Sequence, residues 1–331
     1  MSLAVGSDSW RTLANPIYAA NDVIKEIWVC ENNALSKIYP VGGLPSSDVY
    51  WYWLLAGTGV QRDFHLCVGL DHVPAWAKQD SARYGKLLTY TQANQRAYHN
   101  LASYFVSVTI DEPLTLLSGA DIFHSFTACR TMNNLNYIYI DPTCASTNRM
   151  FYACGYLTAL DISSWDMSHV LDIDGMFAGE ATSTLQSNSR LTSLLLPDNF
   201  GASATTAWLT FSGLKVLTQL DTTKVKTGNL TNMEQIFQGC WRLTELDLSG
   251  WDTSNVTNMD FAFSNMTDIQ TIYASALFDT SAVTSGTQTF GGNSGCPNLR
   301  GGAGTTWNSA NTDYTYARID TAGAPGYFTQ R

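Results

Sequence analysis

The densest run of chemically capable side chains is "DFHLCVGLDH", which places Asp63, His65, Cys67, Asp71 and His72 within ten residues. Imidazole and carboxylate together can hold a divalent ion. A thiol beside an imidazole becomes a nucleophile if its pKa falls. On an alternating strand Asp63 and His65 share a face, whereas Asp71 and His72 lie beyond Gly69, so the run does not converge on one point. A packing role is the simpler expectation. A second group is Asp161, Asp221 and Asp247, each following an inward leucine at the same place in a repeat. Paired carboxylates can act as acid and base, but like residues in register along stacked strands more often brace turns or wet a face. The seven cysteines include no CxxC pair, which argues against structural zinc. Cys129, Cys154, Leu214, Cys240 and Met266 occupy one repeat position. Interchange of Cys, Leu and Met asks for an apolar plug, not a thiol. The chain has no GxSxG, phosphate-binding loop, dinucleotide fingerprint or HExxH. No catalytic, cofactor or metal residue is therefore assigned.

The elements that position these groups come from an internal repeat. Phe126, Phe151, Phe177, Phe211, Phe237, Phe263 and Phe290 are separated by 25, 26, 34, 26, 26 and 27 residues, the long gap holding the insertion "AGEATSTLQSNSR". The clearest unit is "CWRLTELDLSGWDTSNVTNMDFAFSNM" at 240–266. Leu243, Leu246 and Leu248 form an LxxLxL strand, and "SGWDTSN" follows as a polar turn. Val256, Met259, Phe263 and Met266 then recur at the three- and four-residue steps of a helical face. Thr231 and Glu234 read as a capping box. The expected architecture is an α/β solenoid: a leucine-rich-repeat array of short strands and short helices, preceded by a β-rich N-terminal anchor and cap domain.

Four regions follow. Residues 1–45 form an N-terminal anchor segment with a β-hairpin over 22–40 turning at Asn32–Asn33. Residues 46–118 form a β-rich (α+β) domain capping the array. In it "DVYWYWLLA", "RDFHLCVGL" and "YFVSVTI" read as strands, "TQANQRAYHNLASY" as a helix, and Trp51, Trp53 and Trp76 as core. Residues 119–300 form the solenoid and 301–331 a C-terminal cap.

Composition bounds the partners. The 331 residues carry 18 basic and 28 acidic side chains, a net charge of −10. That disfavours nucleic acid and anionic membrane surfaces. No apolar run is long enough to span a bilayer, and the first residues carry no secretory signal, so membrane insertion is not expected.

The strings "LDLSGWDTSNVTNM" and "FQGCWRLTELDLS" resemble the leucine-rich repeats of BspA-type bacterial surface proteins, and "GGAGTTWNSANTDYTYARIDTAGAPGYFT" resembles the segment that closes such arrays. The resemblance covers residues 119–331. It implies a right-handed solenoid used for adhesion and protein binding, without catalytic residues. The stretch "DVIKEIWVCENNALSKIYP" resembles short segments of phage virion structural proteins.

The face open to a ligand is the outward side of the strand ladder. Its candidate binding residues are Tyr137, Tyr139, Asp161, Gln219, Asp221, Glu245, Asp247 and Tyr273. Aromatics mixed with acids suit a protein or a glycan. The leading expectation is a non-enzymatic phage virion protein without cofactor. Its N-terminal region would bind other virion proteins and its solenoid a host cell-surface protein or glycan, with homo-oligomers feasible. The alternative is a BspA-like adhesin on a bacterial cell surface.

Overall fold

A computed structural model describes residues 27–31, 34–38, 48–55, 60–87, 99–179 and 190–331. The strands are β1 (Ile27–Glu31), β2 (Ala34–Ile38), β3 (Val49–Leu55), β4 (Arg62–Val68), β5 (Tyr84–Lys86), β6 (Phe105–Ile110), β7 (Leu114–Leu116), β8 (Thr131–Asn133), β9 (Ile138–Ile140), β10 (Ala159–Asp161), β11 (Ser193–Leu195), β12 (Glu245–Leu248), β13 (Thr271–Ala274) and β14 (Phe328–Gln330). The first two pair antiparallel, Glu31 opposite Ala34, where the hairpin is expected.

The front of the chain folds as a five-stranded mixed sheet in the order β5-β3-β4-β6-β8. Alternation turns Val49, Trp51 and Trp53 to the same buried side as Phe64, Leu66, Val108 and Ile110. β8 lies in the first repeat, so the sheet runs past residue 118. Two expectations are corrected here. Trp76 is 41% exposed and is not core. The described part of the expected helix, His99–Tyr104, is a 3-10 segment; residues 91–98 lie outside the described residues.

The α/β solenoid is also corrected. Among the described residues there is no α-helix, and the repeat strands fall into separate small sheets: β7-β9, β10-β11 and β12-β13-β14. No strand forms at 217–221, so the continuous six-rung ladder is absent. The reason is backbone handedness. Each regular unit places two left-handed residues four apart in the stretch expected to be helical: Leu209 and Gly213, Gln235 and Gly239, Phe261 and Asn265, Gln288 and Gly292. An L residue in that region costs about 1–2 kcal/mol and stops a helix. The amides there reach the next unit instead. Met233, Gln235, Phe237 and Gly239 donate to the carbonyls of Asn258, Asp260, Ala262 and Ser264 at 2.8–2.9 Å. Alternate amides close tight turns, as Ile236 does onto Met233. Val256, Met259, Phe263 and Met266 are buried as their spacing requires, but on turns. With no helix to cap, the Thr231 hydroxyl donates to the Thr205 carbonyl, and Asn232 accepts from the Glu234 amide.

Successive units still lie against one another. Parallel bridges run from Ser146 through Asp172, Thr206, Asn232 and Asn258 to Ser285. Beside them Thr205, Thr231, Thr257 and Thr284 each donate a hydroxyl to the preceding unit's backbone. Inside, Phe151, Phe177, Phe211, Phe237, Phe263 and Phe290 stack with centroids 5.4–6.0 Å apart and planes within 17°. Phe126 is not in this column. Phe123 takes the place under Phe151, and Phe126 turns to Phe64 and Phe105 of the front sheet. At the far end Tyr327 and Phe328 close edge-on over Phe290. One contiguous core runs from Val49 to Phe328.

Candidate functional site

Along β12 and β13 every second residue is buried: Leu246, Leu248, Ile272 and Ala274. The residues between them face outward in register, Glu245 beside Thr271 and Asp247 beside Tyr273. β14 adds a third parallel strand, placing Thr329 beside Tyr273. Arg331 then emerges over this face. Its amide donates to the Ala274 carbonyl at 2.9 Å and its Nη1 to Asp247 Oδ2 at 2.6 Å. Its guanidinium sits 4.9 Å from the centre of the Tyr273 ring.

These groups line an open groove of about 230 Å³ together with Thr218, Gln219, Leu220, Thr244 and Glu245. The structure thus brings together Gln219, Glu245, Asp247 and Tyr273. It does not bring the other expected residues there. Asp161 and Asp221 are exposed elsewhere along the stack. Tyr137 ends a 3-10 turn and packs half-buried on the core. Tyr139 is 8% exposed: β9 pairs with β7 of the front segment, which buries all three of its residues. Its outward placement is corrected. Arg331 escaped sequence reading because 84 residues separate it from Asp247 and no local pattern marks it.

The aspartate register braces turns. Asp141, Asp161, Asp221 and Asp247 each accept, through Oδ1, both the amide and the hydroxyl of the residue two positions on, at 2.5–3.2 Å. Asp247 uses its second oxygen for Arg331, so both carboxylate oxygens are engaged.

The 63–72 run disperses. Asp63 accepts from the Ser107 hydroxyl at 2.6 Å. Asp111 holds His65 Nδ1 and the Tyr52 hydroxyl, each at 2.7 Å. Glu112 holds His72 Nδ1 at 2.5 Å and the Val68 amide at 2.9 Å. The His72 pKa is raised by that hydrogen bond and charge. Among the described residues no three such side chains gather for a metal. Cys67 is buried, and burial, followed by the charges of Asp111 and Glu112, pushes its thiol up to about 12, away from a nucleophile. Burial raises Cys129, Cys240 and Cys296 to about 12 as well. Cys67, Cys129, Cys144, Cys154, Cys240 and Cys296 are free thiols.

A family model described as "Mycoplasma protein of unknown function, DUF285" matches residues 124–191 and 207–318, the repeat region. No curated protein and no solved structure matches the chain.

Proposed function

Because the chain belongs to the DUF285 family, whose model spans more than half of it, we propose that it is a non-enzymatic binding module related to BspA-type surface repeats. The outward groove presents Gln219, Glu245, Tyr273 and the Arg331–Asp247 pair to a protein or glycan on a host cell. The observation that carries this reading is the convergence of these side chains, from separate repeat units and the C-terminal strand, on one open face. A ring column with a buried core holds that face rigid, and rigid scaffolds suit recognition. The buried, high-pKa thiols and the doubly engaged Asp247 agree with binding instead of turnover. The carrier proposed is a phage virion, to whose structural proteins the N-terminal region attaches. A bacterial cell-surface adhesin is the second reading, favoured by the family's description as Mycoplasma protein. Neither cofactor nor nucleic acid enters either reading.

The test is adhesion of the labelled full chain to intact cells, alone and with Glu245→Ala plus Tyr273→Ala. Loss of ten-fold or more in apparent affinity, about 1.4 kcal/mol, with an unchanged melting curve supports the groove. Undiminished adhesion rejects it. Mass spectrometry of purified particles separates the carriers: absence of the chain from virions and presence in a cell-surface fraction rejects the phage reading.

A further inference from the structure

Basic side chains are scarce in this acidic chain, yet four gather on one stripe of the repeat stack. Tyr156, Arg190 and Arg242 share one repeat position, immediately before the inward Leu157, Leu191 and Leu243. Arg130, Lys215 and Trp241 occupy the neighbouring position, four residues after Phe126, Phe211 and Phe237. The stripe thus crosses five successive units, on the order of 20 Å at about 4.8 Å per unit.

Aromatic rings hold the cations in place. Arg130 lies 5.5 Å and Arg190 4.0 Å from the centre of the Tyr156 ring. The Lys215 ammonium lies 4.9 Å from the centre of the Trp241 ring. Among the described residues only Arg242 of these four has a carboxylate, Asp268 at 2.9 Å. Lys215 is 8% exposed, and among the described residues its ammonium has no ion pair or side-chain hydrogen bond. Burial lowers its pKa, with no counter-charge opposing the shift. The Lys215 stem is covered while its ammonium reaches the surface beside Trp241, and a guanidinium stacked on a ring leaves its N–H fork free for a carboxylate. Trp241, 43% exposed, adds an apolar platform beside them.

We infer that this stripe is a second binding surface, distinct from the outward groove, that takes an anionic polysaccharide through Arg130, Arg190 and Lys215 while Trp241 supports a sugar ring. The occupant is a glycan and not a nucleic acid because a few cations spread along the stack, each beside an aromatic ring, suit widely spaced single carboxylates better than a dense polyphosphate. A polyuronate spreads single carboxylates along apolar ring faces, and those faces match the alternation of cation and aromatic.

The probe is polygalacturonate, titrated into the full chain at low salt, with its fully methyl-esterified form as the uncharged control and oligo-dT as the polyphosphate control. Expected is binding of the acid form, with no measurable binding of the ester and at least ten-fold weaker binding of oligo-dT. Arg190→Gln with Lys215→Gln should weaken the acid form ten-fold or more, as should the fully exposed-side variant Arg130→Gln with Arg190→Gln, which leaves the buried Lys215 untouched. Glu245→Ala with Tyr273→Ala should leave this binding unchanged, which separates the stripe from the groove. The inference is overturned if polygalacturonate does not bind, if the ester binds as well, if oligo-dT binds as tightly, or if the folded variants keep the parent affinity.

Discussion

Cys240 sits at a position that Leu and Met fill in sister units, with its thiol donating weakly to the Phe211 carbonyl at 3.1 Å. Shape and apolarity dominate there, so Cys240→Leu should fold and melt within about 1.5 kcal/mol of the parent; a broad, non-cooperative transition in differential scanning calorimetry would refute the plug. Phe263 is the opposite case. It touches Phe237, Phe290 and Phe328 and is fully buried. Phe263→Ala should cost about 3–5 kcal/mol, read as a lower urea midpoint at constant slope. His72 gives a pH signature. Its folded pKa is raised by Glu112, so its contribution is full below the ordinary value near 6.5 and is lost as pH rises through the folded value. With the side chain 58% exposed the effect stays within about 1 kcal/mol. His72→Gln should lower stability at pH 5.5 relative to pH 8.5 by up to about that amount compared with the parent in matched urea titrations, and an unchanged difference would count against the Glu112 contact.

At the scale of the element, the repeat depends on backbone that alternates in hand. Gly201 has φ +78°, and a Cβ there would stand 2.9 Å from the Lys226 carbonyl oxygen. Neither the strain nor the contact relaxes cheaply, because the opposing atom is backbone of a residue whose amide donates to the Phe200 carbonyl in the inter-unit ladder. Gly201→Ala should therefore cost about 1–3 kcal/mol. Thermal unfolding of the purified variant measures it, and an unshifted midpoint would show that the loop tolerates a side chain. The hydrophobic spacing of these stretches was legible in the residues, and Met233, Ile236, Phe237 and Cys240 are indeed buried. The conformation was not. A three-and-four spacing buries the same side chains on a helix or on alternating turns. What selects between them is whether the amides find carbonyls four residues back or one unit ahead, and that is decided by the neighbour.

At the scale of the whole molecule, the core is one body from the front sheet to the terminal strand. Quasi-linear stacks unfold from their ends when the ends are weakened. Phe328 is fully buried and packs edge-on against Phe263, Phe278 and Phe290. Phe328→Ala should raise amide exchange in β13 and β14 well before β3 and β4, as read by hydrogen–deuterium exchange mass spectrometry. Uniform loss of protection would mean that the molecule unfolds only as a unit. The same continuity builds the groove: β14 brings Arg331 across 84 residues to Asp247, and no window of sequence contains both.

Sequence alone determined the repeat period, the identity of the buried rings and plugs, three of the five strands of the front sheet and the turn-bracing aspartates. Each of these is a local or strictly periodic property, set by which side chains shun water and which carboxylates reach their own backbone. Tertiary structure decided the hand of the backbone at Gln235 and Phe261, the exchange of Phe126 for Phe123 at the base of the column, the burial of Tyr139 and the arrival of Arg331. Those outcomes depend on hydrogen bonds and packing between residues far apart in the chain, whose energies no single stretch contains.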